Sequence, residues 1–178
     1  MRSCAWCAGA QSPVSRTAQP YSATRDRASR STNCRVLWLS GRRPSVRAVD
    51  TNILARYYLQ DDARQSRIAQ DIIAGGDLFI PKTVVLELER VLRAVAAQPA
   101  AKVLDCLAHL ISLPGIVVED REQIEAAIRH GDHGIDFADA LHHAASAGCT
   151  ELLTFDGRGY ARRAERHRLW PPVRVPVA

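Results

Sequence analysis

From residue 46 onward, short apolar runs alternate with longer segments in which apolar residues recur at helical spacing. The runs predict strands at 46–49, 78–80, 116–118 and 152–155, and a short edge strand at 173–177. The helical segments cover about 51–59, 63–74, 81–97, 100–112, 121–130 and 136–147. Short apolar strands separated by helices are typical of a parallel sheet with helices on both faces. The pattern therefore predicts an α/β domain over residues 46–178.

Residues 1–45 lack this periodicity and are rich in Ser, Ala and Arg. They hold eight Arg and one acid, for a net charge of +7, whereas residues 46–178 carry −2. The overall charge of +5 therefore arises from the first 45 residues, which we interpret as a disordered or non-native extension. Cys4 and Cys7 form a lone CxxC pair, for which a zinc half-site is an alternative reading.

The cysteine count and the hydropathy indicate a cytoplasmic protein. Five cysteines without disulfide-like spacing favour a reducing compartment. No apolar stretch approaches the roughly 20 residues of a membrane span. The longest apolar run of the extension, 36–39, is shorter than the about 7–15 residues of a signal peptide core. We therefore expect neither a membrane segment nor a secretory signal.

Two acids come directly after predicted strands: Asp50 follows 46–49, and Asp156 follows 152–155. In open parallel α/β sheets the functional crevice lies at the carboxyl ends of the strands. A single loop acid after a strand is common, but two acids at equivalent places indicate a shared site.

Glu87 and Glu89 lie in the helix that begins near Pro81. Its predicted apolar arc consists of Val84, Leu88, Val91, Leu92 and Val95. Glu87 lies at the margin of this arc, whereas Glu89 lies on the far side with Arg93 as an i+4 partner. We therefore predict Glu89 as a solvated surface acid and Glu87 as an acid between core and cleft. A rim acid paired with Arg90 explains Glu87 equally well.

A further acidic segment, DFADALHH, covers residues 136–143. Its predicted packing side consists of Phe137, Leu141, Ala144 and Ala145. Asp136, Asp139 and His143 share the opposite side. Taken alone, the segment is also a plain amphipathic helix with Asp136 as its N-cap.

Four of these acids come from separate segments that the fold would bring to one end of the sheet: Asp50, Glu87, Asp139 and Asp156. Four carboxylates cannot stay ionised in one pocket without counter-charge. Oxygen-rich sets without thiols suit Mg²⁺ or Mn²⁺, ions that activate water and stabilise a phosphoryl transition state. The acids therefore predict a metal-dependent phosphodiesterase.

Three motifs together resemble a known family: AVDTNILARYYLQDD, IPKTVVLELERVLR and DFADALHHAASAGCTELLTFD. In this order and spacing, residues 46 to about 173 resemble the PIN domain, and more closely the VapC-type toxins of bacterial toxin–antitoxin pairs. The resemblance implies a three-layer α/β/α fold with a central parallel sheet of four to five strands. It also implies a Mg²⁺- or Mn²⁺-dependent endoribonuclease, a cognate antitoxin as inhibitor, and a homodimer.

The resemblance also assigns roles to residues. The family's catalytic, metal-binding acids fall on Asp50, Glu87, Asp139 and Asp156. Asn52 and Thr154 match polar positions that support the acids or a metal-bound water, and Asp136 matches a frequent acid that is less uniformly catalytic. His142 and His143 lie outside the pattern, and we expect both at the rim, with His143 as a candidate for substrate contact.

RNA hydrolysis by metal-activated water at such a site needs basic residues outside the acid cluster, because an acidic pocket repels RNA. The segment after Asp156 offers Arg158, Arg162 and Arg163 for the RNA backbone, with Tyr160 as a stacking ring. A solvated helix face explains the same segment equally well.

Two other functions remain open. One is a non-catalytic PIN-like interaction module that acts through an antitoxin or a DNA-bound repressor complex, against which the complete acidic set argues. The other is a receiver-like phosphoacceptor domain, which needs a Lys after a late strand, and neither Lys82 nor Lys102 is so placed. The sequence does not specify which RNA would be cut.

Relatives of this kind begin almost at the first strand, and Met1 is the only methionine. Val46 stands where an initiator would be expected, and a GTG codon can start translation. We therefore expect that the natural chain begins at Val46 and that residues 1–45 result from a misassigned start site.

Overall fold

The computed structural model describes residues 46–176. The predictions for residues 1–45, namely the extension, the CxxC pair and the start site, lie outside the described residues. The same holds for the end of the last predicted strand at residue 177.

Five strands and seven α-helices occur along the described part of the chain, and the strands and the first six helices follow the order that the sequence pattern predicts, whereas the last helix is not predicted. They are β1 (Arg47–Ala48), α1 (Thr51–Leu59), α2 (Ala63–Ala74), β2 (Leu78–Ile80), α3 (Lys82–Arg90), α4 (Ala100–Ser112), β3 (Ile116–Val118), α5 (Arg121–Gly131), α6 (Phe137–Ala145), β4 (Leu152–Leu153), α7 (Arg162–Arg166) and β5 (Val173–Arg174). A first π-helical turn, Val91–Val95, follows α3, and a second, Gly157–Ala161, precedes α7.

All strand pairs are parallel. The order β1–β2–β3 forms a three-stranded sheet in which Arg47 aligns with Leu78 and Ile80 aligns with Val118. The other two strands form a separate pair, in which Leu152 aligns with Val173. The predicted α/β fold class with parallel strands is thus confirmed.

The strands divide into three and two, whereas the sequence predicts one sheet of four to five. The reason lies in the short strands β1 and β4, each two residues long. The backbone N–H of Arg47 donates to Asp77, the residue before β2, at 2.9 Å, and that of Val49 donates to Phe79 of β2 at 3.3 Å. The backbone N–H groups of Leu152 and Thr154 donate to the β5 segment, at 3.0 and 2.9 Å. Each short strand therefore forms these backbone hydrogen bonds with a single neighbouring strand.

One hydrophobic core fills the space between the sheets and the helices. Its fully buried side chains include Leu54, Leu78, Ile80, Val85, Leu88, Leu107, Leu110 and Ile124. Asp side chains begin three of the surrounding helices by accepting a backbone N–H: Asp50 for α1, Asp62 for α2 and Asp136 for α6. Among residues 46–176, no helix is long and apolar enough to cross a membrane.

The helix predicted at 81–97 differs from the structure in its second half. The α-helix ends at Arg90, and the π-helical turn that follows is closed by a bond from the Ala96 N–H to the Val91 carbonyl, at 3.0 Å. Val95 is 78% exposed, so its place in the predicted apolar arc is wrong. A π turn adds one residue to the hydrogen-bonded ring, and the 3.6-residue period that predicted the arc no longer applies there.

Candidate acidic site

Asp50 and Glu87 are linked through Thr51, the first residue of α1. Thr51 is buried, and its hydroxyl donates to Oε2 of Glu87 at 2.5 Å. Asp50, directly before it, accepts from the backbone N–H of Ile53 at 3.2 Å and from the amide of Asn52 at 3.4 Å. The carboxylates of Asp50 and Glu87 are both exposed. Thr51 therefore orients Glu87 on α3 towards the start of α1, a role that the sequence pattern did not reveal.

Asp139 lies within electrostatic range of two other acids. Its side chain is half-buried on α6. Burial raises the pKa of Asp139, and the charges of Asp136 and Asp156 raise it further, while His142 and Arg163 oppose the change. Carboxylates that crowd without full counter-charge behave in this way. The acids of α6 and of the loop after β4 thus form one group.

Asp156 is held by the backbone that follows it. Its Oδ1 accepts from the Gly159 N–H at 2.8 Å and its Oδ2 from the Tyr160 N–H at 2.9 Å. These two bonds, that of Tyr160 first, lower the pKa of Asp156. The backbone N–H of Asp156 donates to Oγ1 of Thr154 at 3.1 Å, which is the supporting contact of Thr154 in this structure. Asp156 is thereby kept ionised and fixed in direction.

The four predicted acids occur as two groups: Asp50 and Glu87 joined through Thr51, and Asp139 with Asp156. Within residues 46–176, no set of three or more His, Cys, Asp or Glu side chains converges as a ready metal site. The donor chemistry nevertheless fits a hard divalent cation, since the set is all carboxylate. The residue types therefore suit the Mg²⁺ or Mn²⁺ ion that the sequence implies. Their division into two groups gives a less enclosed site than the sequence predicts.

Glu89 is a buried acid, so its prediction as a solvated surface residue is wrong. It is 4% exposed, and its predicted partner Arg93 contacts it at 3.2 Å. Burial raises the pKa of Glu89, and the charge of Arg93 opposes that rise. The buried side of α3 consists of Val85, Leu88 and Glu89. This side is rotated away from the predicted apolar arc, which included Val84 and Val91. Arg93 makes this burial tolerable by supplying the counter-charge.

His143 and Tyr160 are also misplaced by the sequence pattern. His143 was expected at the rim and Tyr160 as an exposed stacking ring, but they are 1% and 4% exposed. The Tyr160 hydroxyl lies 2.6 Å from Nδ1 of His143. Burial, together with the charge of Asp139, raises the pKa of Tyr160 to about 12. The second π-helical turn covers this side of α6, while His142 and Ala145 stay exposed.

The arginines after Asp156 lie where an anionic strand can reach them. Arg158, Arg162 and Arg163 are exposed, as the prediction of an RNA contact requires. The charge of Arg163 opposes the rise in the pKa of Asp139 and contributes to the lowered pKa of Asp156. Arg163 therefore lies near both acids. Beside them, Arg162, Arg168 and Arg174 line a groove of about 700 Å³, and the last two were not predicted.

An α/β domain with acids that follow its parallel strands is typical of enzymes that act at the strand ends. A family model described as PIN domain matches residues 47–166, more than half of the 178-residue chain. The chain therefore belongs to the PIN-domain family. PIN domains are generally nucleases and typically bind divalent metals, so the chain has a nuclease-type fold. No curated protein gave a significant match to it.

Proposed function

We propose that this chain is a Mg²⁺- or Mn²⁺-dependent endoribonuclease and the VapC-type toxin of a toxin–antitoxin pair. The observation that carries the proposal is the position of Asp139, half-buried and crowded by Asp136 and Asp156 in a PIN domain. A nuclease needs such a local excess of negative charge to retain a cation against water.

Four side chains would hold the cation: Asp50, Glu87, Asp139 and Asp156. A divalent cation there would supply an activated water and charge stabilisation for the scissile phosphate. The chain's own residues do the rest. Asp139, close to the charges of Asp136 and Asp156, contributes the local excess of negative charge to which the cation would bind. The backbone N–H groups of Gly159 and Tyr160 keep Asp156 ionised and in place.

The exposed arginines after Asp156 would guide the RNA backbone to the acids. These are Arg158, Arg162 and Arg163, which lie within seven residues of Asp156. They carry the positive charge that contacts with phosphate require. Tyr160 is excluded from this surface by its burial. A cognate antitoxin as inhibitor, a homodimer and a cytoplasmic location belong to the same proposal, and the three family-like motifs support them.

The test is RNA cleavage by the purified full chain with Mn²⁺ or Mg²⁺, with EDTA, and with two variants. Asp139→Asn removes the charge at the crowded position, and Asp71→Asn is the matched control on the exposed side of α2. We expect cleavage that EDTA abolishes, that Asp139→Asn lowers about 100-fold or more, and that Asp71→Asn leaves unchanged.

Two outcomes would contradict the proposal. Cleavage and growth arrest that both survive Asp139→Asn would exclude the acidic site. A wild-type chain that cleaves no RNA with either metal, yet assembles with an antitoxin on DNA, would establish the non-catalytic interaction module instead.

A further inference from the structure

Glu89 is a buried carboxylate that has no place in the proposed catalytic set. Only 4% of the residue is exposed, and its Oε1 lies 3.2 Å from Nε of Arg93. An ionised group in such a position is costly unless a counter-charge accompanies it. An apolar residue at position 89 would be sufficient if α3 only had to pack against the core. The burial of Glu89 beside Arg93 therefore needs a structural explanation.

Arg93 contacts a second acid on a different helix. Its Nη2 lies 3.1 Å from Oδ2 of Asp136. The other oxygen of Asp136 accepts the backbone N–H of Ala138 at 3.0 Å and so begins α6. One guanidinium therefore joins Glu89, near the end of α3, to Asp136, the N-cap of α6. Its fork of donors allows both contacts at once, which a lysine cannot reproduce.

This bridge spans the two groups of acids in the candidate site. Glu89 lies two residues after Glu87 on α3, and Asp139 lies one helical turn after Asp136 on α6. A small cavity of about 240 Å³ lies beside the bridge and is lined by Glu89, Arg93, Asp136, Phe137 and Arg163, among others. The ion bridge is thus a direct side-chain connection between the end of α3 and the N-cap of α6.

Arg93 itself lies in the first π-helical turn. Such turns are frequent where a helix is adapted to a functional site rather than to packing alone. The neighbouring Val95 is 78% exposed, so the turn directs an apolar residue outward while its arginine faces the acids.

We propose that Arg93 is a positioning residue which, through Glu89 and Asp136, sets the separation of Glu87 and Asp139. This inference rests on the proposed function, because it concerns the same site. A displacement of about 1 Å in such a constellation costs on the order of 100-fold in rate. Arg93 is not one of the four proposed cation ligands, so its role is to position the acids.

Three variants and one matched control test the bridge. Arg93→Ala leaves both acids without their partner, Arg93→Lys keeps the charge but not the fork, and Glu89→Gln keeps the shape of the buried side chain. The control, Arg121→Ala, breaks the exposed i,i+4 pair of Arg121 with Glu125, whose atoms lie 2.7 Å apart. Arg93→Lys and Glu89→Gln also cover the case in which Arg93→Ala does not fold.

We expect Arg93→Ala to lower kcat for RNA cleavage about 10- to 100-fold with little change in KM, and to weaken Mn²⁺ binding, because the acids lose their spacing. Arg93→Lys should recover part of the loss, and Arg121→Ala should equal the wild type. Wild-type kcat and Mn²⁺ affinity in folded Arg93→Ala would overturn the inference. So would a loss that melting curves attribute entirely to unfolded protein.

Crystal structures of the wild type and Arg93→Lys decide the inference independently of activity. We expect the separation of the Glu87 and Asp139 carboxylates to change in the variant, and an unchanged separation with the bridge broken overturns the positioning role. If the wild type neither binds Mn²⁺ nor cleaves RNA, the proposed function fails, whereas this structural comparison still decides what Arg93 positions.

Discussion

The phenolic oxygen of Tyr160 lies 2.6 Å from Nδ1 of His143 in the interior of the protein. His143 belongs to α6, which carries Asp139, and Tyr160 follows the loop that carries Asp156. The backbone N–H of Tyr160 also donates to Asp156 at 2.9 Å. The contact thus ties together the two segments whose acids crowd each other.

Tyr160→Phe should lower the free energy of unfolding by about 1–3 kcal/mol, because it leaves a buried imidazole nitrogen without its partner. The substitution keeps the ring and the backbone N–H that holds Asp156. Urea denaturation measures the effect. Tyr57→Phe is the control, since the Tyr57 hydroxyl makes no hydrogen bond with the described residues and its removal should cost less than about 0.5 kcal/mol. Equal losses in the two variants would contradict the role of the pair.

Stability should fall when the pH drops below about 6.5. Burial lowers the pKa of His143 below its usual 6.5, and burial acts likewise on His130 and His109. In the window between the folded and unfolded pKa values the unfolded chain binds more protons, so the free energy of unfolding decreases as the pH falls. The stability that these neutral histidines contribute is complete above about pH 6.5 and is lost as the pH falls through their pKa values in the folded protein.

Urea denaturation at several pH values between about 4.5 and 7.5 measures this dependence. In His143→Gln one of the titrating groups is absent, so the loss of stability on acidification should be smaller than in the wild type. The neighbouring His142 is exposed, and His142→Gln should retain the full dependence. An identical pH dependence in the wild type and His143→Gln would contradict the assignment to His143.

The sequence predicted the order of elements and the fold class because apolar periodicity reports directly which segments pack. It also assigned Asp136 as the N-cap of α6, since a helix start needs a side-chain acceptor and the signal is local. The division of the strands into two sheets depends on which neighbour takes the hydrogen bonds of β1 and β4, and two-residue strands carry too little pattern to decide this.

The misplaced side chains share a physical cause. Glu89, His143 and Tyr160 are polar residues that binary patterning assigns to the surface, yet all three are buried. Each has a polar partner on another turn or element: Arg93 for Glu89, and Nδ1 of His143 and the hydroxyl of Tyr160 for each other. Such pairs obey the rule that buried polar groups are hydrogen-bonded or neutralised. Helical spacing predicts Arg93 as the partner of Glu89 but not the burial of Glu89, and the contact between His143 and Tyr160 is recognised only in the tertiary structure.

Thr51→Val should impair the site more than the fold. The substitution keeps the buried shape and removes the hydroxyl that donates to Glu87 at 2.5 Å, so we expect a loss of about 0.5–1.5 kcal/mol in unfolding free energy. A freed Glu87 should weaken Mn²⁺ binding, measured by isothermal titration calorimetry, and lower RNA cleavage. Thr83→Val on the exposed side of α3, the helix that carries Glu87, is the control and should change neither. Unchanged Mn²⁺ affinity in Thr51→Val would show that Glu87 needs no orientation.

Gly159→Ala should disable Asp156 without altering its carboxylate. A Cβ at position 159 would lie 2.5 Å from Oδ2 of Asp156, so the acid must leave the two N–H groups that hold it. A shift of about 1 Å at a catalytic group costs on the order of 100-fold in rate. Gly148→Ala is the matched control, because a Cβ there meets no atom within 4 Å.

RNA cleavage and Mn²⁺ affinity of Gly159→Ala, Asp156→Asn and the double variant measure this effect. If the glycine acts only through Asp156, the double variant should be no worse than Asp156→Asn, since two changes that remove one function are not additive. Gly148→Ala should match the wild type in both assays. A further large loss in the double variant would mean that Gly159 serves the second π-helical turn independently of the acid. In that case the close approach of the Gly159 backbone to Asp156 would reflect chain geometry rather than the orientation of a catalytic carboxylate.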